Sequence, residues 1–176
     1  SDSDGSGEGD VVMTALATAV ANGTVGASDG VDGDDPEIFV SGANVTLSTL
    51  SALNTALDDE VIIVATHGEV NSAKTDAAAE IRADVVSITA PDGIGEGENG
   101  PIDLTADVAV NGLQIRAATT KELADISLDI VSATTLSVAP TATSSGIDLI
   151  ETVSGTVNLR SDSNIYDPTN DPLTDT

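Results

Sequence analysis

The residues best equipped for chemistry in this chain are carboxylates, and they are bunched. Residues 1–10 read SDSDGSGEGD, with oxygen-bearing side chains alternating with glycine. Calcium takes about six to eight oxygen ligands, and an EF-hand loop supplies them at alternating positions around a turning Gly. On that pattern Asp2, Asp4 and Asp10 are candidate calcium ligands. The acid that closes an EF-hand loop is missing, because Met13 stands in its place. A second cluster, residues 28–36 (SDGVDGDDP), adds Asp32, Asp34 and Asp35 without the motif's spacing. No Gly-Gly-x-Gly-x-Asp nonapeptide of the calcium-binding β-roll type is present. The expectation is therefore a calcium cofactor on these six aspartates, set against the plainer reading of solvated acidic loops. The incomplete motif favours the plainer reading.

Other chemistries find less support. His67 is the single histidine, standing between the apolar run at 61–65 and Gly68, where a turn residue is the ordinary role. With no cysteine, zinc and thiolate sites lack their usual ligands. No Gly-x-Ser-x-Gly elbow surrounds any serine. Paired carboxylates for glycoside cleavage usually come with aromatic and basic residues that hold the sugar, and both are scarce. Gly93-Ile94-Gly95-Glu96-Gly97 resembles a phosphate loop but lacks Lys and lies among acids, so a tight turn accounts for it better. Asn22-Gly23-Thr24 and Asn44-Val45-Thr46 match the N-glycosylation pattern, which is short enough to arise by chance. The expectation is a protein that is not an enzyme.

The composition sets the terms for any scaffold. In 176 residues the apolar fraction is 40%, almost all Val, Ile, Leu and Ala, while aromatics are 1%, Phe39 and Tyr166. Small aliphatic residues suit thin stacked layers better than the aromatic-lined core and pocket of an ordinary enzyme. Five Lys and Arg against 30 Asp and Glu give a formal charge of −25. That balance argues against nucleic acid or an anionic membrane as partner. High salt or bound divalent cations would relieve the self-repulsion. The absence of cysteine favours a bacterial or archaeal surface protein. No apolar run reaches the ~20 residues of a membrane span. The chain begins without Met or a signal peptide, so it reads as processed or cut from something longer.

The elements divide into three stretches. Residues 1–36 form an acidic, flexible lead-in, with a short helix over 11–17 capped by Asp10 and a strand as its competitor. Residues 37–160 are β-rich, and 161–176 form an acidic, Pro-containing tail or arm. Within the β-rich stretch, apolar residues recur at period two: Ile38/Val40, Val45/Leu47, Val86/Ile88, Ile102/Leu104, Val108/Val110, Leu113/Ile115, Ile126/Leu128/Ile130, Leu136/Val138, Ile147/Leu149 and Val157/Leu159. One helical competitor covers 48–58, where Leu50, Leu53 and Leu57 share a helical face. Many short strands with small turns give an all-β fold, either a β-sandwich or a β-solenoid. The lack of aromatics between sheets favours the solenoid.

Residues 65–104 carry a resemblance. They contain Gly68-Glu69-Val70, Ile81-Arg82-Ala83, Val86-Ser87-Ile88-Thr89-Ala90, Gly93-Ile94-Gly95 and Pro101-Ile102-Asp103-Leu104. This succession of turns and strands resembles the repeats of filamentous-haemagglutinin-like adhesins and giant bacterial surface proteins. It covers the middle of the chain. The resemblance implies a right-handed parallel β-helix in a secreted stalk or adhesin. Two departures stand out: the helix-like stretch at 48–58, and the lack of a strict internal repeat.

Three functions are expected in order. The first is a structural or adhesive segment of a secreted cell-surface protein, its partners being neighbouring repeats, other copies of itself or surface glycans. The second is a self-assembling filament or surface-layer subunit joined by strand exchange, with Ile165, Tyr166 and Leu173 in the donated arm. The third is a calcium-dependent polysaccharide-binding module. All place the chain outside the cell, with neither nucleic-acid binding nor membrane insertion.

Overall fold

The computed structural model describes residues 11–28, 37–53, 60–76, 78–105, 113–131, 136–137, 146–162 and 165–166. These residues form strands and no helix. In chain order the strands are β1 (Val11–Thr14), β2 (Thr18–Ser28), β3 (Glu37–Gly42), β4 (Asn44–Leu53), β5 (Glu60–Ala65), β6 (Glu69–Ser72), β7 (Ile81–Arg82) and β8 (Val85–Ala90). They continue as β9 (Gly93–Ile94), β10 (Ile102–Thr105), β11 (Gln114–Thr119), β12 (Ile126–Ile130), β13 (Leu136–Ser137), β14 (Gly146–Glu151), β15 (Val157–Ser161) and β16 (Ile165–Tyr166).

Every pairing among them is parallel. One sheet runs β1-β3-β5-β8-β11-β14-β13-β16; the other runs β10-β7-β4-β6-β9-β12-β15, with β2 on β4 and β10 also on β12. The chain passes from one sheet to the other and returns one rung along, which makes a parallel β-solenoid. The favoured all-β, β-helical reading is the fold.

Register explains the composition. Ile38, Val61, Val86 and Ile115 stack on the first sheet, as do Val40, Ile63, Ile88 and Ala117. On the second sheet Val45, Val70, Ile94 and Ile126 form one inward column, and Leu50, Ile81, Leu104 and Ile130 another. All of these are buried. Each rung lies ~4.8 Å from the next, so each side chain has one narrow slot, which a β-branched or aliphatic residue fills and an indole would overfill. The first-sheet column passes through positions 11, 38, 61, 86, 115 and 147. Their spacing is uneven, so the rungs leave no strict repeat in the sequence.

Both helical expectations are overturned. Over 11–17, Val11 and Met13 turn inward in register with Ile38 and Val40, and β1 takes the place of a helix. Over 48–58, the described part is the end of β4, paired with β2 on one edge and with β7 on the other. Leu47 and Leu50 are both buried, while Ser48 and Thr49 between them are half-buried. That slip takes Leu50 out of the Val45/Leu47 alternation; of the other leucines on the expected helical face, Leu53 ends β4 and Leu57 lies outside the described residues. Two-sided ladder bonding decides the conformation.

Of the residues expected in the donated arm, Ile165 and Tyr166 pair with Leu136 and Ser137 of the same chain, and Leu173 lies outside the described residues. At Ile115/Arg116 the register with β14 shifts, so the Ile147/Leu149 alternation is not kept: Leu149 is exposed and Ile150 packs on the core. Val108/Val110 lies outside the described residues.

Candidate functional site

The long strand β4 is answered by two short ones. Its residues 45–47 pair with β6, and Leu50 and Ser51 pair with β7. On the next rung β9 and β10 divide the work in the same way, and β12 then spans both, meeting β9 at Ile126 and β10 at residues 128–130. The second sheet therefore has a slit, and residues 73–76, 78–80 and 95–101 lie at it. Gly95 makes one of the turns: its φ is +69°, and a Cβ there would run into the Ser127 carbonyl oxygen. Gly93 and Ile94 belong to β9, so of the turn expected over Gly93-Ile94-Gly95-Glu96-Gly97 only the part from Gly95 onward is a turn.

An open pocket of about 210 Å³ lies at the slit. Ser72, Lys74, Asp76 and Glu80 line one side of it, and Asn99, Asp103, Asp129 and Arg160 contribute the rest of its polar wall. Asp103, Asp129 and Arg160 occupy one register column on β10, β12 and β15. Each stands between inward-facing neighbours and so projects from the outer face of the sheet. Even so, Asp103 and Asp129 are only 6% and 9% exposed, because the crossing segments cover them.

Glu80 organises the slit. Its Oε1 accepts from the Ser72 hydroxyl at 2.8 Å, and its Oε2 accepts from the Asp103 backbone N–H at 2.6 Å. Its own N–H donates to the Asp103 carbonyl at 2.8 Å, and its carbonyl accepts from the Leu50 N–H at 2.7 Å. Glu80 thus ties three rungs together where regular strand pairing is interrupted. Burial pushes its carboxyl up from the ordinary value, against the two hydrogen bonds; the Asp103 charge adds to the rise and Lys74 opposes it. Asp103 is also raised, by burial first and by Asp129 next, with Lys74 and Arg160 pulling the other way.

The two local cations are partly committed. Lys74 Nζ donates to the carbonyls of Ala78 and Ala79 and lies 3.5 Å from Asp76 Oδ1. Arg160 Nη1 is 3.5 Å from Asp129 Oδ2, but its side chain is 75% exposed. Asp129 Oδ1 is buried and has no hydrogen-bond partner among the described residues. Such an atom is a costly exception in a folded protein.

The aspartates expected to bind calcium, Asp2, Asp4, Asp10, Asp32, Asp34 and Asp35, lie outside the described residues. Among the described residues no three acidic or histidine side chains are grouped as a metal's ligands would be. His67 lies in the exposed corner between β5 and β6, where its Nδ1 is 2.9 Å from the Thr66 hydroxyl. The pocket's carboxylates were not singled out in the sequence, yet a signal was there. Asp103 sits in Ile102-Asp103-Leu104 and Asp129 in Leu128-Asp129-Ile130, two acids held inside strand-forming triplets that stack.

No family model matches the chain, and comparison with curated proteins and with solved structures gives no match.

Proposed function

We propose that the chain is a structural or adhesive segment of a secreted bacterial or archaeal cell-surface protein. The observation that carries this reading is the run of parallel aliphatic columns through the length of the solenoid. Its role would be mechanical. Among the described residues successive rungs are hydrogen-bonded along two sheets, the second interrupted at the slit, and the core is closed by interlocking Val, Ile and Leu columns. Such a stack resists bending and presents long outer faces. With a charge of −25, those faces would stay soluble and repel one another in dilute medium. Antibody labelling of intact source cells tests it: signal is expected without permeabilisation. Labelling that appears only after permeabilisation would sink the proposal.

A second reading, self-assembly into a filament or surface layer, has one observation in its favour. The outer edges of β1 and β2 have no strand partner among the described residues. There the inward Val11, Met13 and Ala15 are only half-buried, and Leu16 is fully exposed. Unpaired edges over an unfinished core are a template for another chain. Light scattering against concentration, with Leu16→Asp as the control, distinguishes a growing species from a stable monomer.

A further inference from the structure

We propose that the slit pocket binds one calcium-type divalent cation between Asp103 and Asp129, on ligands other than the six N-terminal aspartates. The geometry starts from the sheet. The two aspartates are register partners on adjacent rungs, so their side chains leave the same face ~4.8 Å apart. A like-charged pair directly opposite is destabilising on an open sheet and more so when covered. Both side chains here are covered by the crossing segments, and both line one pocket.

The resident countercharge is incomplete. Arg160 reaches only Oδ2 of Asp129, from a largely exposed position, and Lys74 is held by backbone carbonyls. Asp129 Oδ1 remains buried without a partner, inside a wall that holds another carboxylate. A cation between the two aspartates would satisfy that oxygen and remove the repulsion together.

The donor set selects the class of ion. The pocket offers oxygen ligands and no sulfur or imidazole, which suits a hard cation. Asn99 donates its Nδ2 to the Ser72 carbonyl at 2.9 Å, so its amide oxygen is the end left to accept. Glu80 is already engaged at both carboxylate oxygens and would act as the wall that fixes Asp103. Two protein carboxylates are fewer than a closed calcium cage supplies, and a pocket of about 210 Å³ has room for waters to complete the shell. Calcium tolerates such irregular, partly hydrated coordination better than magnesium does, and affinity in the range of about 10⁻⁴–10⁻³ M follows from so few charged ligands.

The test is calorimetric titration of the whole chain with calcium chloride at constant ionic strength, beside a thermal-shift series. One class of site is expected at this pocket, with a saturating rise in melting temperature. Asp103→Asn and Asp129→Asn each remove one ligand charge and should weaken that site by roughly tenfold or more. Both also relieve the carboxylate repulsion, so the variants are expected to fold at least as well without the ion. Arg160→Gln should tighten binding, since it removes the cation that competes for Asp129. Absence of saturable binding overturns the proposal. So does unaltered affinity in both asparagine variants, which would assign any bound calcium to carboxylates elsewhere in the chain. Unchanged or weaker binding in Arg160→Gln overturns the placement beside Asp129.

Discussion

At the scale of single residues, Glu80 is the side chain on which the irregular part of the solenoid turns. A buried acid needs a reason, and here the reason is a gap in the ladder: β6 and β7 do not meet, and Glu80 offers acceptors where a neighbouring strand's carbonyls would stand. Removing it leaves the Asp103 N–H without its acceptor, while the Ser72 hydroxyl keeps only the longer bond to the Lys74 carbonyl at 3.1 Å. Glu80→Ala should therefore destabilise by roughly 1–3 kcal/mol, the cost of stranding buried polar groups. Glu80→Gln keeps the shape and one acceptor and should lose less. Chemical denaturation of both variants checks the order; equal midpoints for Ala and wild type would refute it. The sequence does not advertise this role. Glu80 follows three alanines, outside any period-two alternation, and its importance depends on Asp103, one rung away, whose N–H it accepts.

At the scale of strands, the rungs were legible wherever period-two alternation was unbroken, and illegible where geometry inserted an extra outward residue. Val86/Ile88, Ile102/Leu104 and Ile126/Leu128/Ile130 read directly as strands, because burial of one face of a sheet imposes that period. Leu50 did not, because the slip at Ser48 and Thr49 takes it out of the Val45/Leu47 alternation and leaves it with Leu53 at a spacing shared with a helix. The slit pocket was hidden for a related reason. Its residues come from five stretches of chain, and only the parallel register brings Asp103, Asp129 and Arg160 into one column. The columns also set the local energetics. Ile88 stands fully packed between Ile63 and Ala117, at 1% exposure. Truncating Ile88→Ala opens a cavity that both neighbouring rungs must share, and should cost about 2–5 kcal/mol. The same truncation at the outward Ile62, half-buried in the same sheet, should cost distinctly less. Comparable losses at the two positions would mean that the inward column is not the core.

For the whole molecule, the question is which conditions favour a stack of rungs that carries 30 acids against five Lys and Arg. Two effects act with the same sign. General repulsion among carboxylates weakens as they are protonated or screened. In addition, Glu80 and Asp103 hold their protons more tightly folded than unfolded, because burial opposes their charged forms. A carboxyl raised in the folded state contributes its full share of stability below its ordinary value, and loses that share as pH climbs through the raised value. Those ordinary values are 4.5 for Glu80 and 3.8 for Asp103. The groups that set the shifts are Ser72, Lys74, Asp76, Asp129 and Arg160 around the slit. With a chelator present and low salt, the melting temperature should fall as pH rises from about 4, where the carboxyls begin to lose their protons, through the raised range of Glu80 and Asp103. About 1 M sodium chloride should flatten most of that slope by screening the exposed charges. The part that survives in salt belongs to the buried pair and should shrink further in Glu80→Gln. A melting temperature that climbs with pH would contradict both effects at once. A salt-resistant slope untouched by Glu80→Gln would remove the buried pair from the account and leave only the surface charge.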